Sequence, residues 1–243
     1  MPLLWHRQIW RVQTIEKLDY FAFRKDTVLS KEILRKGYLY MIDDKEKEKT
    51  DGFPEVSYPM KPQKSDEPTE VVEKRNRVFS GRVFAAEVLS VRQSDGRESA
   101  REIVKHNGGA AVLPIDDEMN VYVVRQFRSP FMHVLTEIPA GKLEIGEDPK
   151  EAAIRELSEE TGLIAENVVS LGDIFPTPGY CSEILYLYMA TGLKQGECHP
   201  DEGEDLRVQK IPFSELLEMV DKNEIHDAKT VVAILQAARR MNL

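Results

Sequence analysis

The chain has 243 residues, with 33 Lys+Arg against 42 Asp+Glu and a formal charge of −9. It is long enough to bury a real core, holds no apolar run of the roughly 18–20 residues that a bilayer span needs, and is too acidic to be a good non-specific nucleic-acid binder. Its two cysteines, Cys181 and Cys198, supply neither a disulfide framework nor zinc spacing, and the first ten residues lack the apolar core of a signal peptide, so a cytoplasmic globular protein is expected, with no membrane and no nucleic acid as partner.

Composition shifts near position 40. Residues 1–40 carry 8 Lys+Arg, 4 acids and 7 of the 19 aromatics, whereas the other 203 carry 25 Lys+Arg and 38 acids. Two readings of this extension stay open. Arg35-Lys36-Gly37 can be encoded by a purine-rich string resembling a bacterial ribosome-binding site, which puts the expected start at Met41. Alternatively, residues 1–40 are a genuine appendage with an amphipathic helix near 28–36. Residues 41–69 read as a linker, because the charge run Asp43–Lys49 is followed by Pro54, Pro59, Pro62 and Pro68.

From about residue 70 the pattern becomes regular. Val78-Phe79, Val83–Val91 and Ala100–Lys105 predict an antiparallel β-subdomain over 70–106, with Asp95-Gly96 as a hairpin turn. Ala110–Ile115 and Val121–Gln126 are strands joined by the acidic turn Asp116-Asp117-Glu118. A helix is predicted over Asp148–Thr161, strands over Val168–Phe175, Glu183–Ala190 and Asp205–Ile211, and helices over 214–222 and 228–240. The last carries Val231, Ile234, Leu235 and Ala238 as a core stripe.

The helix at 148–161 is the informative element. Asp148 is a good N-cap, Pro149 fits the first turn, Glu151 completes a capping-box arrangement and Gly162 is a good terminator. Ala153, Ile154 and Leu157 are expected to form its apolar side. Glu156 and Glu160 stand at i, i+4, with Glu159 beside them, so like charges crowd one face. Arg155 can relieve Glu159, but nothing in the helix is expected to neutralise Glu156 and Glu160. A hard divalent cation would, since Mg²⁺ takes carboxylate oxygens and keeps water and substrate phosphates in its shell.

Gly141, Glu147, Arg155, Glu156, Leu157, Glu159, Glu160, Gly162 and Leu163 match nine specified positions within 23 residues. The segment resembles the signature of the Nudix hydrolase family. The resemblance implies an α/β/α sandwich with a mixed sheet over 107–243, preceded by the small antiparallel β-subdomain, and cleavage of the pyrophosphate in a nucleoside diphosphate linked to another group. It makes Glu156, Glu160 and the Ala140 carbonyl ligands of Mg²⁺, with Mn²⁺ as a substitute, and has Glu159 ligate metal or orient a water. Arg155 orients a glutamate.

Further segments resemble the ADP-ribose pyrophosphatase branch: Arg101–His106, Val124–Arg128, Glu137–Lys142, Pro178 lying 15 residues beyond the signature, and Asp227-Ala228-Lys229-Thr230. That branch implies hydrolysis of ADP-ribose to AMP and ribose 5-phosphate, with a nucleotide sugar as the alternative substrate. A sensor that binds ADP-ribose without cleaving it would normally lack signature glutamates, and none is missing. In the acidic loop 192–205, the branch implies Glu202 as base and Glu204 as metal ligand, although either could be the base. Arg101 and Arg128, each near the end of a predicted strand, are candidates for gripping phosphate. Glu137 is a candidate for a ribose hydroxyl or the adenine amino group, and Glu183 for the terminal ribose. Phe79 and Phe84 are candidates for stacking on the adenine, although core packing is the expectation for each. By resemblance, the β-subdomain makes a homodimer.

Overall fold

The computed structural model describes residues 68–196 and 205–243. The expectations for residues 1–67, and for Cys198, Glu202 and Glu204, lie outside the described residues. A three-stranded antiparallel sheet comes first: β1 (Glu70–Ser80), β2 (Ala85–Gln93) and β3 (Glu98–Lys105), in that order. On β2, Ala85, Glu87, Leu89 and Val91 alternate inward, the period-2 pattern of a strand with one buried face. The β2–β3 turn falls at Asp95-Gly96 as expected, with Gly96 at φ 85° and the Gln93 N–H donating to the Arg97 carbonyl at 2.9 Å.

Phe79 and Phe84 depart from expectation. Both are substantially exposed, and their rings pack on each other at 5.3 Å rather than in the core. They flank the tight connection at Gly81, whose N–H donates to the Phe84 carbonyl at 2.9 Å.

The rest is an α/β assembly. A mixed four-stranded sheet runs in the order β7 (Ala140–Lys142), β4 (Gly109–Pro114), β9 (Leu185–Gln195), β8 (Leu163–Ile174), with β4 and β9 parallel. A second antiparallel sheet runs β10 (Leu206–Pro212), β5 (Asn120–Arg128), β6 (His133–Glu137). Three helices are found among the described residues: α1 (Pro149–Thr161), α2 (Phe213–Asp221) and α3 (Ala228–Met241).

Strand β4 is the central layer, buried at every position. Its odd residues Ala111 and Leu113 share a core with Leu216 of α2 and Ala233, Ile234 and Ala237 of α3. Its even residues Ala110 and Val112 pack on Ala152, Ala153 and Leu157 of α1. Helices thus cover both faces, as in the expected α/β/α sandwich. Each large aliphatic side chain buried in this way contributes about 1.5–3 kcal/mol. The β-sheet at 70–105 joins this body through the bridge of Val104 with Cys181, where Val104 N–H donates to the Tyr180 carbonyl at 2.7 Å and Ser182 N–H donates to the Val104 carbonyl at 2.9 Å.

Candidate active site

The signature helix is built as its caps dictate. The Asp148 carboxylate accepts the N–H groups of Lys150 and Glu151, at 2.8 and 3.3 Å, and Pro149 opens the first turn. Gly162 ends it at φ 69°, a left-handed conformation that glycine adopts without steric cost.

The helix faces fall differently from the expectation. Ala152, not Ile154, joins Ala153 and Leu157 in the core, and Ile154 is exposed. At ~100° per residue, a buried stripe centred between Ala153 and Glu160 carries Ala152 and Glu156 along one side and turns Ile154 away. Both glutamates therefore lie toward the protein. Glu160 is only 3% exposed, and its Oε2 accepts the Ala140 N–H at 3.1 Å. The Glu156 carboxylate lies over Gly141, where a Cβ would sit 1.8 Å from Oε1. The signature glycine thus leaves the space that this carboxylate fills.

Arg155 gathers the remaining charge. Its Nη1 donates to Glu156 Oε1 at 2.7 Å and to Glu159 Oε2 at 2.8 Å, and its Nε donates to Glu147 Oε1 at 2.9 Å. The expectation that nothing in the helix neutralises Glu156 is corrected: the guanidinium fork reaches its sequence neighbour as well as the residue one turn on. The Glu147 hydrogen bond, then those to Glu156 and Glu159, hold the guanidinium proton more firmly than usual against the cost of burial. Arg155 in turn holds the Glu147 carboxyl below its ordinary range.

A second ionic cluster lies at the end of β6. Arg128, the last residue of β5, grips Glu137 with Nε and Nη2, each at 2.7 Å. Lys229 Nζ donates to Glu137 Oε2, the oxygen that also accepts Arg128 Nη2, at 2.5 Å and to Asp227 at 3.0 Å. Glu137 is 2% exposed. Burial alone would raise its carboxyl, but the Arg128 hydrogen bonds and the Lys229 charge overcome this and hold it at about 2. Glu137, with Asp227 and Glu160 adding attraction, keeps Arg128 firmly charged despite burial.

The other candidates are dispersed. Arg101 is the fourth residue of β3, not near its end, and it pairs with Glu70 of β1, the Ser99 hydroxyl and the Ala100 carbonyl, all in the first sheet. Glu183 precedes β9, and its Oε1 lies 3.5 Å from His106 Nδ1. That nitrogen also accepts the Gly108 N–H at 3.1 Å, and burial of the imidazole lowers its proton affinity against the pull of Glu183.

The structure thus places Glu160 on the Ala140 N–H and Glu156 over Gly141, ties Glu159 to Glu156 through Arg155, and joins Arg128 to Glu137. Asp227, Lys229 and Thr230, which carry no role in the sequence, join this cluster. The resemblance of Asp227-Ala228-Lys229-Thr230 marks the segment but not its contacts, because the partners at 137 and 138 lie 92 residues away. Among the described residues, no group of three or more acidic, His or Cys side chains is arranged to hold a metal ion. A hard cation does not require such a cage, because Mg²⁺ keeps waters and takes one or two carboxylates together with substrate phosphates. The all-oxygen donor set at Ala140, Glu156, Glu159 and Glu160 suits that chemistry.

The profile of the NUDIX domain matches residues 105–233. The chain is similar to the ADP-ribose pyrophosphatase of Bacillus subtilis (strain 168), at 40% identity over 66% of this chain and 88% of that protein. It is similar to the methanol dehydrogenase activator of Bacillus methanolicus, at 41% identity over 66% of this chain and 88% of that protein. Among solved structures, one titled as an ADP compounds hydrolase superposes with a TM-score of 0.64 at 21% identity, covering 74% of this chain and 97% of that one, a likeness of fold.

Proposed function

The chain belongs to the NUDIX family of hydrolases, and on that premise we propose that it cleaves the pyrophosphate linkage of ADP-ribose to AMP and ribose 5-phosphate. The observation that carries the reading is the carboxylate cluster of α1, with Glu156 and Glu160 turned inward and Glu159 beside them, Glu156 and Glu159 tied to Arg155 and Glu160 to the Ala140 backbone. The substrate class is supported by the similarity to the Bacillus subtilis pyrophosphatase over most of that protein's length.

In this reading Glu156, Glu160, Glu204 and the Ala140 carbonyl hold Mg²⁺, which Mn²⁺ can replace. The metal supplies charge neutralisation at the diphosphate and a more acidic water. Glu202 accepts the proton of the attacking water, which it must meet within hydrogen-bond reach, and Glu159 orients that water. Arg155 keeps the carboxylates in register before substrate arrives. Because phosphoryl chemistry is mostly positioning and charge stabilisation, cationic side chains must also face the diphosphate. Arg128 is assigned that role, with Glu137 fixing its guanidinium plane. Arg101 serves as a second phosphate grip on exchanging Glu70 for substrate, and Glu183 binds the terminal ribose. The 70–106 sheet forms the contact of a homodimer.

The test is product analysis by anion-exchange chromatography after incubation with ADP-ribose and Mg²⁺. Equal amounts of AMP and ribose 5-phosphate, absent when EDTA is present, are expected. Release of adenine, or of ADP and ribose, would refute the proposed bond.

A further inference from the structure

Four consecutive residues lead into the signature, and each is pinned by residues distant in sequence or in another element of the fold. The Glu137 side chain is held by Arg128 and by Lys229. The Ile138 N–H donates to the Thr230 hydroxyl oxygen at 2.9 Å, 92 residues away in sequence. The Pro139 carbonyl accepts the Val112 N–H of β4 at 2.9 Å. The Ala140 N–H donates to Glu160. Glu137, Ile138, Lys229 and Thr230 are all buried.

The first turn of α3 supplies two of these restraints. Asp227 caps the helix by accepting the Thr230 N–H at 3.1 Å. It also accepts the Thr230 hydroxyl proton, which leaves the hydroxyl oxygen's lone pairs facing the Ile138 N–H. The same aspartate accepts from Lys229, whose ammonium turns to Glu137. One capping residue thus sets the orientation of both side chains, and both reach the 137–140 segment. A buried network with every member satisfied fixes a unique geometry, and the loss of one member leaves a buried polar group without its partner.

We propose that Lys229 and Thr230 are positioning residues for hydrolysis: the first turn of α3 locks residues 137–138 and thereby places the Ala140 backbone and the Glu160 carboxylate bonded to it. The inference rests on the metal-dependent reading of the site given above. It assigns to the C-terminal helix a part in the chemistry, although no residue of that helix is placed in contact with the substrate.

Thr230→Val keeps the shape and removes the hydroxyl, whereas Thr230→Ser keeps the hydroxyl. The readouts are kcat and KM for ADP-ribose, the Mn²⁺ dissociation constant from the loss of the free-ion EPR signal, and hydrogen exchange of the 137–141 amides (Glu137, Ile138, Ala140 and Gly141, since Pro139 has none) in metal-free protein. For Thr230→Val, kcat is expected to fall at least tenfold with KM changed less than threefold, Mn²⁺ to bind at least fivefold more weakly, and the 137–141 amides to exchange faster. Thr230→Ser is expected to stay within threefold of the parent in each. Should Thr230→Val not fold, Lys229→Met is read in the same way. A folded variant with Mn²⁺ affinity and exchange within twofold of the parent would overturn the proposal. Failure of the hydrolytic reading is distinguishable, because it shows as an inactive parent protein, while the Mn²⁺ and exchange measurements still decide whether α3 positions the segment.

Discussion

Replacing Glu137 by Gln removes the anion that Arg128 and Lys229 share while nearly preserving the size of the side chain. The carboxyl is held at about 2 in the folded protein against an ordinary 4.5. At about 1.4 kcal/mol per tenfold change in proton affinity, that difference is worth about 3 kcal/mol of folding stability near neutral pH. The figure agrees with the roughly 3–5 kcal/mol lost when one partner of a buried ion pair is removed. The sign follows from the depressed value: the stabilisation is complete above about pH 5 and is lost as pH falls from about 4.5 toward about 2. The assay is urea unfolding of the parent protein and of Glu137→Gln at several values between pH 7 and pH 3. The gap between them is expected to be about 3 kcal/mol at pH 7 and to narrow steadily below about pH 4.5. In thermal melts near neutrality it corresponds to a fall of roughly 6–12 °C. A gap below 1 kcal/mol at pH 7, or one that does not change between pH 6 and pH 3, would refute the reasoning.

Three further perturbations follow from the carboxylate cluster. Glu160→Gln keeps an oxygen that can accept the Ala140 N–H, so its melting temperature should stay within about 4 °C of the parent, while kcat with Mg²⁺ falls at least 100-fold; unchanged turnover would contradict the ligand assignment. Gly141→Ala puts a methyl group where the Glu156 carboxylate lies, so Mn²⁺ affinity measured by EPR should weaken at least tenfold, and parental affinity would show that the carboxylate has room to move without loss. Arg155→Met leaves Glu147, Glu156 and Glu159 without their shared cation, a loss of about 1–2 kcal/mol. The rise in melting temperature on adding Mg²⁺ should then be larger in the variant than in the parent, and an equal or smaller rise would count against charge neutralisation as the role of Arg155.

Much of this architecture is local and so can be read from sequence. Asp148, Pro149 and Gly162 bound α1 by backbone chemistry that depends on neighbours a few residues away. The Asp95-Gly96 turn and the alternation in β2 are equally local. Strands β6 and β7 escape because they span five and three residues on either side of Ile138-Pro139, too short for a period to register. Strand β8 starts at Leu163, five residues before the expected Val168, because it follows the helix terminator directly with no turn residue between.

The site is less legible than the fold. The spacing of Glu156, Glu159 and Glu160 shows which carboxylates cluster, but not that the face carrying Glu156 and Glu160 turns inward, which depends on Ala140 and Gly141 arriving from β7. Arg155 reads as a partner of Glu159 by helical period, and its contact with Glu156 depends on a side-chain direction that spacing does not encode. The anchoring of Ile138 by Thr230 joins residues 92 apart. No periodicity or local motif reports such a contact.

The central claim is hydrolysis of an ADP-linked diphosphate at the α1 carboxylates. The most direct test is a phosphatase-coupled assay with Mg²⁺, measuring kcat/KM for ADP-ribose, ADP-glucose, UDP-glucose, GDP-mannose, NADH and 8-oxo-dGTP under one set of conditions. The account predicts that ADP-ribose is turned over with the highest kcat/KM, by at least tenfold, and that AMP is the nucleotide released. A higher value for any of the other five substrates, or no turnover of ADP-ribose by protein that binds Mn²⁺, would contradict it.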